Sequence, residues 1–252
     1  MNYLLLKGCM EMIIGEIKEI IRYPVKSFLG EKIEKTTIES YGLYGDRSHA
    51  FLDNTRPGKF LTLTQLPPMI RYQARFVGEE RMDQFPSLII ESPSGQAYEW
   101  GDEGLLKELE TISNKALTPI QYTPSHVPFG AIEEENILIT TDASIGKLEE
   151  LWGEKVDYLR FRPNIHIALY ENTPFIEETW FGRRVLIGET ELEIKRYCER
   201  CTIINIDPES GSFDFSLLKT VSQERNNHFG VYASVIQTGE INVGDKISLI
   251  DV

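Results

Sequence analysis

Short runs of alternating or β-branched hydrophobic residues dominate this chain, with glycine, proline, asparagine and aspartate between them at short intervals. Such runs are typical of β-strands, and the residues between them favour turns. The pattern predicts strands over 13–23, 32–40, 48–52, 69–76, 87–91, 116–122, 136–141, 164–170, 184–187, 191–195, 202–206, 232–238 and 246–250. Because helices do not alternate with these strands, the pattern favours a barrel or sandwich over βαβ units.

Three segments instead have the apolar spacing of helices: 102–113, 142–152 and 212–220. The second begins beside Thr141, a good N-cap residue, and stops at Gly153, which suits the left-handed position that ends many helices. The chain is therefore expected to be mainly β with a few helices, an α+β fold.

The composition is that of an ordinary globular protein, with 41% hydrophobic and 26% charged residues over 252 residues. The net charge of −13 argues against binding to nucleic acid or to an anionic membrane, so any anionic ligand must be held by a local group of cations. Three cysteines offer no disulfide framework, which favours a cytoplasmic location. No stretch is long enough for a transmembrane helix. Residues 1–12 are expected to be a disordered leader.

Two of the cysteines belong to a Cys-Glu-Arg-Cys sequence at 198–201. The guanidinium of Arg200 favours the thiolate form of a neighbouring cysteine, and a thiolate is the ligand that soft metals prefer. A zinc site is disfavoured because none of the four histidines shows paired ligand spacing. A dithiol redox pair would need a helix N-terminus, whereas 202–206 is predicted to be a strand. Structural thiols remain the alternative, above all for Cys198, and Cys201 is the candidate ligand.

Three further segments combine a cation or an amide with a predicted turn. Lys26 and Ser27 follow a proline, Arg47 follows two glycines, and Arg162 and Asn164 flank a proline. Arginine offers a planar fork to a phosphate or a heterocycle edge, and asparagine offers both a donor and an acceptor. Each segment alone is weak evidence for a site, and for Arg162 and Asn164 alone a surface arginine beside an Asn-capped turn is the stronger interpretation.

Taken in order, these segments form a specific set that covers nearly the whole chain. The set comprises Tyr-Pro-Val-Lys-Ser at 23–27, Gly-Leu-Tyr-Gly-Asp-Arg at 42–47, Thr-Asp-Ala-Ser-Ile at 141–145, Phe-Arg-Pro-Asn-Ile at 161–165, Cys-Glu-Arg-Cys at 198–201 with Asp-Pro-Glu-Ser-Gly at 207–211, and Phe-Gly-Val-Tyr at 229–232 with Val-Gly-Asp at 243–245. As a set they resemble the MOSC superfamily, and within it the branch that contains the mitochondrial amidoxime-reducing component and its bacterial relatives.

The resemblance implies a MOSC-type β-barrel with an inserted, largely β N-terminal subdomain. It implies a MOSC N-terminal region over 13–125 and a MOSC domain over 126–252. Within the first region, 13–50 is expected to contribute strands to the barrel and 51–125 to form the inserted subdomain. This division follows from the implied ligand, because one ligand must be contacted by both early and late residues.

The resemblance also implies the molybdenum cofactor, a molybdopterin with a dithiolene and a terminal phosphate, and it links the family with pyridoxal phosphate binding. The family's metal ligand falls on Cys201. The implied cofactor contacts are Lys26, Ser27, Arg47, Arg162, Asn164, Arg200 and Tyr232. Two departures from the family pattern are the carboxylates at 133–135, which would repel a phosphate unless they point outward, and Tyr197, where bacterial relatives often have proline.

The leading functional hypothesis is a molybdenum cofactor-dependent oxidoreductase that reduces small N-hydroxylated compounds to the N–H compound and water. Its expected partner is a separate electron-donor reductase, a flavin, haem or iron–sulfur protein, with no nucleic acid and no membrane involved. The competing hypothesis is a MOSC module that binds the cofactor, or carries sulfur on Cys201, without reductase activity. A third alternative is a barrel without cofactor, for which the carboxylates at 133–135 are the main support.

Overall fold

A closed barrel of seven strands lies at the centre of the structure, a computed structural model that describes residues 3–6, 9–132 and 134–250. The strands in chain order are β1 (Tyr3–Leu6), β2 (Cys9–Arg22), β3 (Glu31–Ile33), β4 (Lys35–Glu39), β5 (Gly42–Leu43), β6 (His49–Asp53), β7 (Gln73–Val77), β8 (Ser87–Glu91), β9 (Ala97–Glu99), β10 (Leu117–Gln121), β11 (Ile137–Thr141), β12 (Ile165–Leu169), β13 (Arg184–Ile187), β14 (Thr190–Glu199), β15 (His228–Gln237), β16 (Gly239–Asn242) and β17 (Lys246–Ile250). The α-helices are α1 (Glu103–Ser113), α2 (Phe129–Ile132), α3 (Asp142–Trp152) and α4 (Phe215–Arg225).

The barrel runs in the order β2–β12–β11–β15–β14–β13–β17 and closes because β17 pairs with β2. Only the pairing of β11 with β12 is parallel among these strands, and the others are antiparallel. Strands β1 and β3 also pair with β2. The mainly β, α+β fold that the sequence predicts is therefore confirmed.

Alternation along the barrel strands explains why the barrel closes around a core. Side chains two residues apart lie on the same face of a strand, and six of the seven strands each contribute such a pair to one buried cluster. Burial of each aliphatic side chain stabilises the fold by roughly 1.5–3 kcal/mol. The pairs are Ile137 and Ile139, Ile165 and Ile167, Val185 and Ile187, Leu192 and Ile194, Val231 and Ala233, and Ile247 and Leu249.

Most residues of a second core beside the barrel lie between β5 and β11, and Val25, Phe28 and Ile206 complete it. Here β6 pairs with β10, and β7, β8 and β9 form a three-stranded sheet. Helix α1 packs Leu105 and Leu109 into this second core, and the side chain of Asp102 caps the helix by accepting from the Gly104 N–H at 2.6 Å. Strand β16, late in the chain, pairs with β4, which links the early strands to the C-terminal half.

The predicted strand over 202–206 is wrong, because Thr202–Asn205 is a 3₁₀ helix. A strand would place Ile204 and Ile206 on one face. Instead Ile204 packs with the residues around α3 and α4, whereas Ile206 packs into the core beside α1. The chain must turn between the two positions to fill both cores.

Two other predicted elements are shifted. The predicted strand over 69–76 begins only at Gln73, because prolines start a 3₁₀ helix over Pro67–Arg71. The predicted helix over 212–220 is α4, which starts after Asp214, whose side chain accepts from the Ser216 N–H at 2.8 Å.

Of the leader expected over 1–12, residues 1, 2, 7 and 8 lie outside the described residues, and the described remainder lies in β1 and β2. None of the helices in the described parts of the chain is long and apolar enough to cross a membrane.

Gly15 is expected to be essential for the closure of the barrel. It lies in β2 between β12 and β17, and a Cβ there would meet the Ala168 carbonyl oxygen at 2.3 Å. Gly15→Ala should lower the free energy of unfolding by about 2 kcal/mol or more, because the two backbones must separate. The matched control is Gly146→Ala in α3, where a Cβ meets nothing within 4 Å and should stabilise the helix by about 0.5–1 kcal/mol. Urea unfolding of both variants measures this, and equal effects would contradict the steric account.

Candidate functional site

Six of the eight predicted site residues line one cavity of about 180 Å³ at an end of the barrel. They come from four separate parts of the chain: the turn between β5 and β6, the segment before β12, the two residues that follow β14, and β15. The six residues are Arg47, Arg162, Asn164, Arg200, Cys201 and Tyr232. The fold thus brings together side chains that are more than a hundred residues apart in sequence.

Lys26 and Ser27 do not line this cavity. The Lys26 ammonium donates to the Ala131 carbonyl oxygen at 2.9 Å and lies over the Phe60 ring. The Ser27 hydroxyl accepts from the Leu63 N–H at 3.3 Å. Both side chains are buried and serve contacts within the protein.

A buried carboxylate, Asp46, organises one wall of the cavity. It pairs with the guanidinium of Arg47, accepts from the Tyr23 backbone N–H at 2.8 Å, and accepts from the Asn164 side-chain amide at 3.1 Å. The Asn164 oxygen in turn accepts from the Leu138 N–H at 3.1 Å. The side-chain amide of Asn164 therefore forms hydrogen bonds that hold neighbouring residues in place.

Tyr23 lies beneath two of the cavity arginines. The Cζ atoms of Arg47 and Arg162 lie 4.5 and 4.2 Å from its ring centroid, which is cation–π distance. Arg162 also donates to the Phe28 carbonyl oxygen at 2.9 Å. Sequence reasoning missed both Tyr23 and Asp46 as members of the site, although each lies in a motif that contains a predicted site residue.

The backbone at these arginines is unusual. Arg47 has φ +50° and Arg162 has φ +56°, in the left-handed region that favours glycine, and Ser27 has φ +73°. Each such residue costs of order 1–3 kcal/mol and persists only where its surroundings hold it. The ion pair of Arg47 and the contacts with Tyr23 supply that hold.

Arg200 binds one of the two cysteines that line the cavity. One terminal nitrogen donates to Cys198 Sγ at 2.6 Å and the other to the Phe161 carbonyl oxygen at 2.9 Å. Its Nε is buried without a hydrogen-bond partner among the described residues, although Arg200 lines the cavity. A buried N–H left unpaired is costly unless a ligand or water completes it. Among the described residues, none supplies the acceptor that this nitrogen lacks.

The two cysteines have different surroundings. Cys198 is buried in β14, whereas Cys201 is exposed and precedes the 3₁₀ helix Thr202–Asn205. The guanidinium of Arg200 bonds to Cys198, although the sequence had suggested it as the neighbour of Cys201. Both thiols are free. Because no strand follows Cys201, the sequence argument that disfavoured a dithiol pair on that ground does not hold.

Carboxylates surround the open end of the cavity. Glu134, Glu135 and Glu199 line it. Glu134 and Glu135 also form ion pairs with Arg196, at 2.9 and 3.3 Å respectively. Arg196 in turn lies over the Tyr232 ring, with its Cζ 5.7 Å from the centroid. The carboxylates at 134 and 135 are thus partly neutralised, and position 133 lies outside the described residues. The buried end of the cavity is cationic and its open end is anionic.

Comparison with known families identifies this architecture. The family model for the MOSC domain matches residues 122–248, and that for the MOSC N-terminal beta barrel domain matches 14–97. The chain belongs to the MOSC domain family. The cavity of this MOSC protein takes residues from both matched regions, with Arg47 from the N-terminal one and Arg162 and Arg200 from the other.

Similar proteins of known name fall into two groups. The chain is 26% identical to mitochondrial amidoxime-reducing component 1 of Danio rerio, over 93% of the chain and 84% of that protein. It is 23% identical to mitochondrial amidoxime reducing component 2 of Bos taurus, over 93% and 83%. It is also 25% identical to a molybdenum cofactor sulfurase of Oryza sativa, over 77% of this MOSC chain but 29% of that longer protein.

A solved structure shares the fold. The crystal structure of the YuaD protein from Bacillus subtilis matches with a TM-score of 0.51, over 97% of this chain and 99% of that one. The two sequences are 12% identical, so the likeness extends to the MOSC fold alone.

Removal of the Asp46 charge is expected to loosen the cavity wall. Asp46→Asn keeps the shape but leaves the guanidinium of Arg47 buried without its counter-ion, so the free energy of unfolding should fall by about 3 kcal/mol. The control is Asp83→Asn, which removes the exposed pair with Arg81 and should change the free energy of unfolding much less, because solvent screens that pair. Urea unfolding measures both, and a loss at Asp46 no larger than that at Asp83 would contradict the role given to the buried pair.

Proposed function

We propose that this chain holds the molybdenum cofactor in the cavity and reduces small N-hydroxylated compounds there. The observation that carries the proposal is a cavity lined both by three arginines, Arg47, Arg162 and Arg200, and by the exposed Cys201. The arginines offer cationic donors to an anion, and the thiol offers a soft ligand to a metal. The names of the amidoxime-reducing relatives supply the reaction class.

The donor set fits such a group residue by residue. Cys201 would ligate the metal, and Arg47, Arg162 and Arg200 would hold the anionic part of the cofactor, because guanidinium groups pair strongly with phosphate. When bound, the cofactor supplies the two-electron chemistry that removes the oxygen of an N–OH group as water. Tyr232 would contribute an aromatic wall to the same cavity.

Pyridoxal phosphate fits this cavity poorly. Its chemistry depends on a lysine that forms a Schiff base. None of the described residues that line the cavity is a lysine, and Lys26 donates elsewhere. The proposal therefore includes the molybdenum cofactor alone.

The chain's own residues would select and orient the substrate. The carboxylates at the open end, those of Glu134, Glu135 and Glu199, would attract N-hydroxylated compounds that carry a positive charge. The cationic buried end would repel the positive end of such a compound, so the substrate would enter with its basic group toward the mouth. Electrons would come from a separate reductase, whose docking surface would have to match the acidic surroundings of the mouth.

A sulfur-carrier function is the second candidate, and the exposed thiol of Cys201 is the observation that favours it. The similar sulfurases share the MOSC region only as a minor part of their length. In this case Cys201 would take the outer sulfur of a persulfide on a separate donor protein, which would be left as a thiol, and the cavity would present the Cys201 persulfide to a cofactor. Release of thiocyanate on treatment with cyanide would reveal such a persulfide.

The ligand role of Cys201 is tested by metal and pterin analysis of protein made in a host that synthesises the cofactor. Wild type should contain about one molybdenum per chain. Cys201→Ser should lose the metal but retain pterin, because the three arginines are intact. Cys198→Ser, the matched control, should retain both, because a hydroxyl can still accept from Arg200. Equal loss of metal in both variants would instead support the interpretation that the two cysteines act together as a dithiol pair.

Activity separates the two candidate functions. Loaded wild type, supplied with electrons from a chemical reductant, should convert benzamidoxime to benzamidine. Loaded protein that fails to do so but yields thiocyanate with cyanide would contradict the reductase and favour the carrier.

A further inference from the structure

The arginine pair formed by Arg47 and Arg162 shares one aromatic ring. Both guanidiniums lie over the ring of Tyr23, so their Cζ atoms, at 4.5 and 4.2 Å from its centroid, are within about 9 Å of each other. Two cations at this separation repel, more strongly in a buried site than in water. The negative face of the ring offsets part of this repulsion.

Tyr23 is held firmly and does not itself reach the cavity. Only 1% of its surface is exposed, and it is absent from the cavity lining. A Cβ on Gly30 would lie 2.7 Å from the ring, so the ring packs directly against this glycine. The Asp46 carboxylate fixes the Tyr23 backbone by accepting its N–H. These contacts confine the ring to one position beneath the arginine pair.

The hydroxyl of Tyr23 has no hydrogen-bond partner among the described residues although it is buried. Burial raises the pKa of Tyr23 well above its ordinary value, so the phenol stays neutral. An unpaired buried hydroxyl brings no stability to the fold. The contribution of Tyr23 to the site must therefore come from its ring.

We propose that Tyr23 is a positioning residue whose ring face sets Arg47 and Arg162 for binding of the anionic group in the cavity. Stacking uses the face of a guanidinium and leaves its N–H edge for other partners. An arginine fixed in this way loses less rotamer freedom when it binds, so the affinity for the anion rises. The inference rests on the proposed function at one point, because it takes the anion to be the phosphate of the cofactor.

The test measures binding of inorganic pyrophosphate to the cofactor-free full-length chain by titration calorimetry. Tyr23→Phe keeps the ring and should bind within about twofold of wild type, whereas Tyr23→Leu removes the π face and should bind about tenfold more weakly, or about 1.4 kcal/mol. Pentafluorophenylalanine at position 23 keeps the shape and reverses the charge of the ring face, so it should also bind about tenfold more weakly. This third variant maintains the test if the leucine variant does not fold.

Tyr72 provides matched controls, because it is a buried tyrosine in the second core that contacts none of the cavity arginines in the described structure. Tyr72→Leu should bind pyrophosphate as wild type does. Its hydroxyl donates to Glu108, so Tyr72→Phe should lower the urea midpoint, whereas Tyr23→Phe should not.

Several results would overturn the inference. One is that wild type does not bind pyrophosphate, and another is that both the leucine and the fluorinated variants at position 23 bind it as tightly as wild type. A third is that Tyr23→Phe weakens binding as much as Tyr23→Leu does, which would indicate contact through the hydroxyl. A fourth is that Tyr72→Leu weakens binding as much as Tyr23→Leu does, which would indicate general loosening of the core. Loaded wild type that is inert on benzamidoxime would instead contradict the proposed function, and the pyrophosphate result would stand.

Discussion

The cavity depends on a single buried negative charge. Asp46 is 1% exposed and lies among Arg47, the Asn164 amide and the Tyr23 backbone. A carboxylate loses a large hydration energy on burial, and only close cations and donors restore it. The need to surround this charge brings the turn after β5, the end of β2 and the start of β12 to one point. The cavity wall is a consequence of that convergence.

The cavity contains opposite charges at its two ends, and this arrangement is compatible with the proposed binding of an anion by an acidic protein. The net charge of −13 would repel a phosphate from most of the surface. Three arginines that are 4–9% exposed act at short range, where the low surrounding polarizability strengthens their attraction. The carboxylates at the mouth act on the approaching molecule instead, and Arg196 moderates them.

Much of the fold could be predicted from the sequence because alternation marks the barrel strands clearly. Pairs such as Ile137 and Ile139 identify a buried face without any knowledge of the partner strand. The strand prediction over 202–206 was wrong for a physical reason. The β-branched residues of this segment have strand propensity, but they pack into two different cores, which a straight strand does not allow. The cavity arginines could be singled out from the sequence by residue type, although Lys26, selected in the same way, lies elsewhere. The position of Tyr23 beneath two of these arginines could not be predicted, because only tertiary packing fixes it.

The position of β2 in the barrel has a consequence for synthesis of the protein. This early strand pairs with β12 and with β17, which is completed only at residue 250. At roughly 5–20 residues per second, the ribosome needs on the order of ten to fifty seconds to deliver the last partner. During that time the apolar face of β2 has no barrel to join, and contacts so distant in sequence form slowly. The nascent chain must therefore be shielded from aggregation, and the cavity is among the last parts of the molecule to exist.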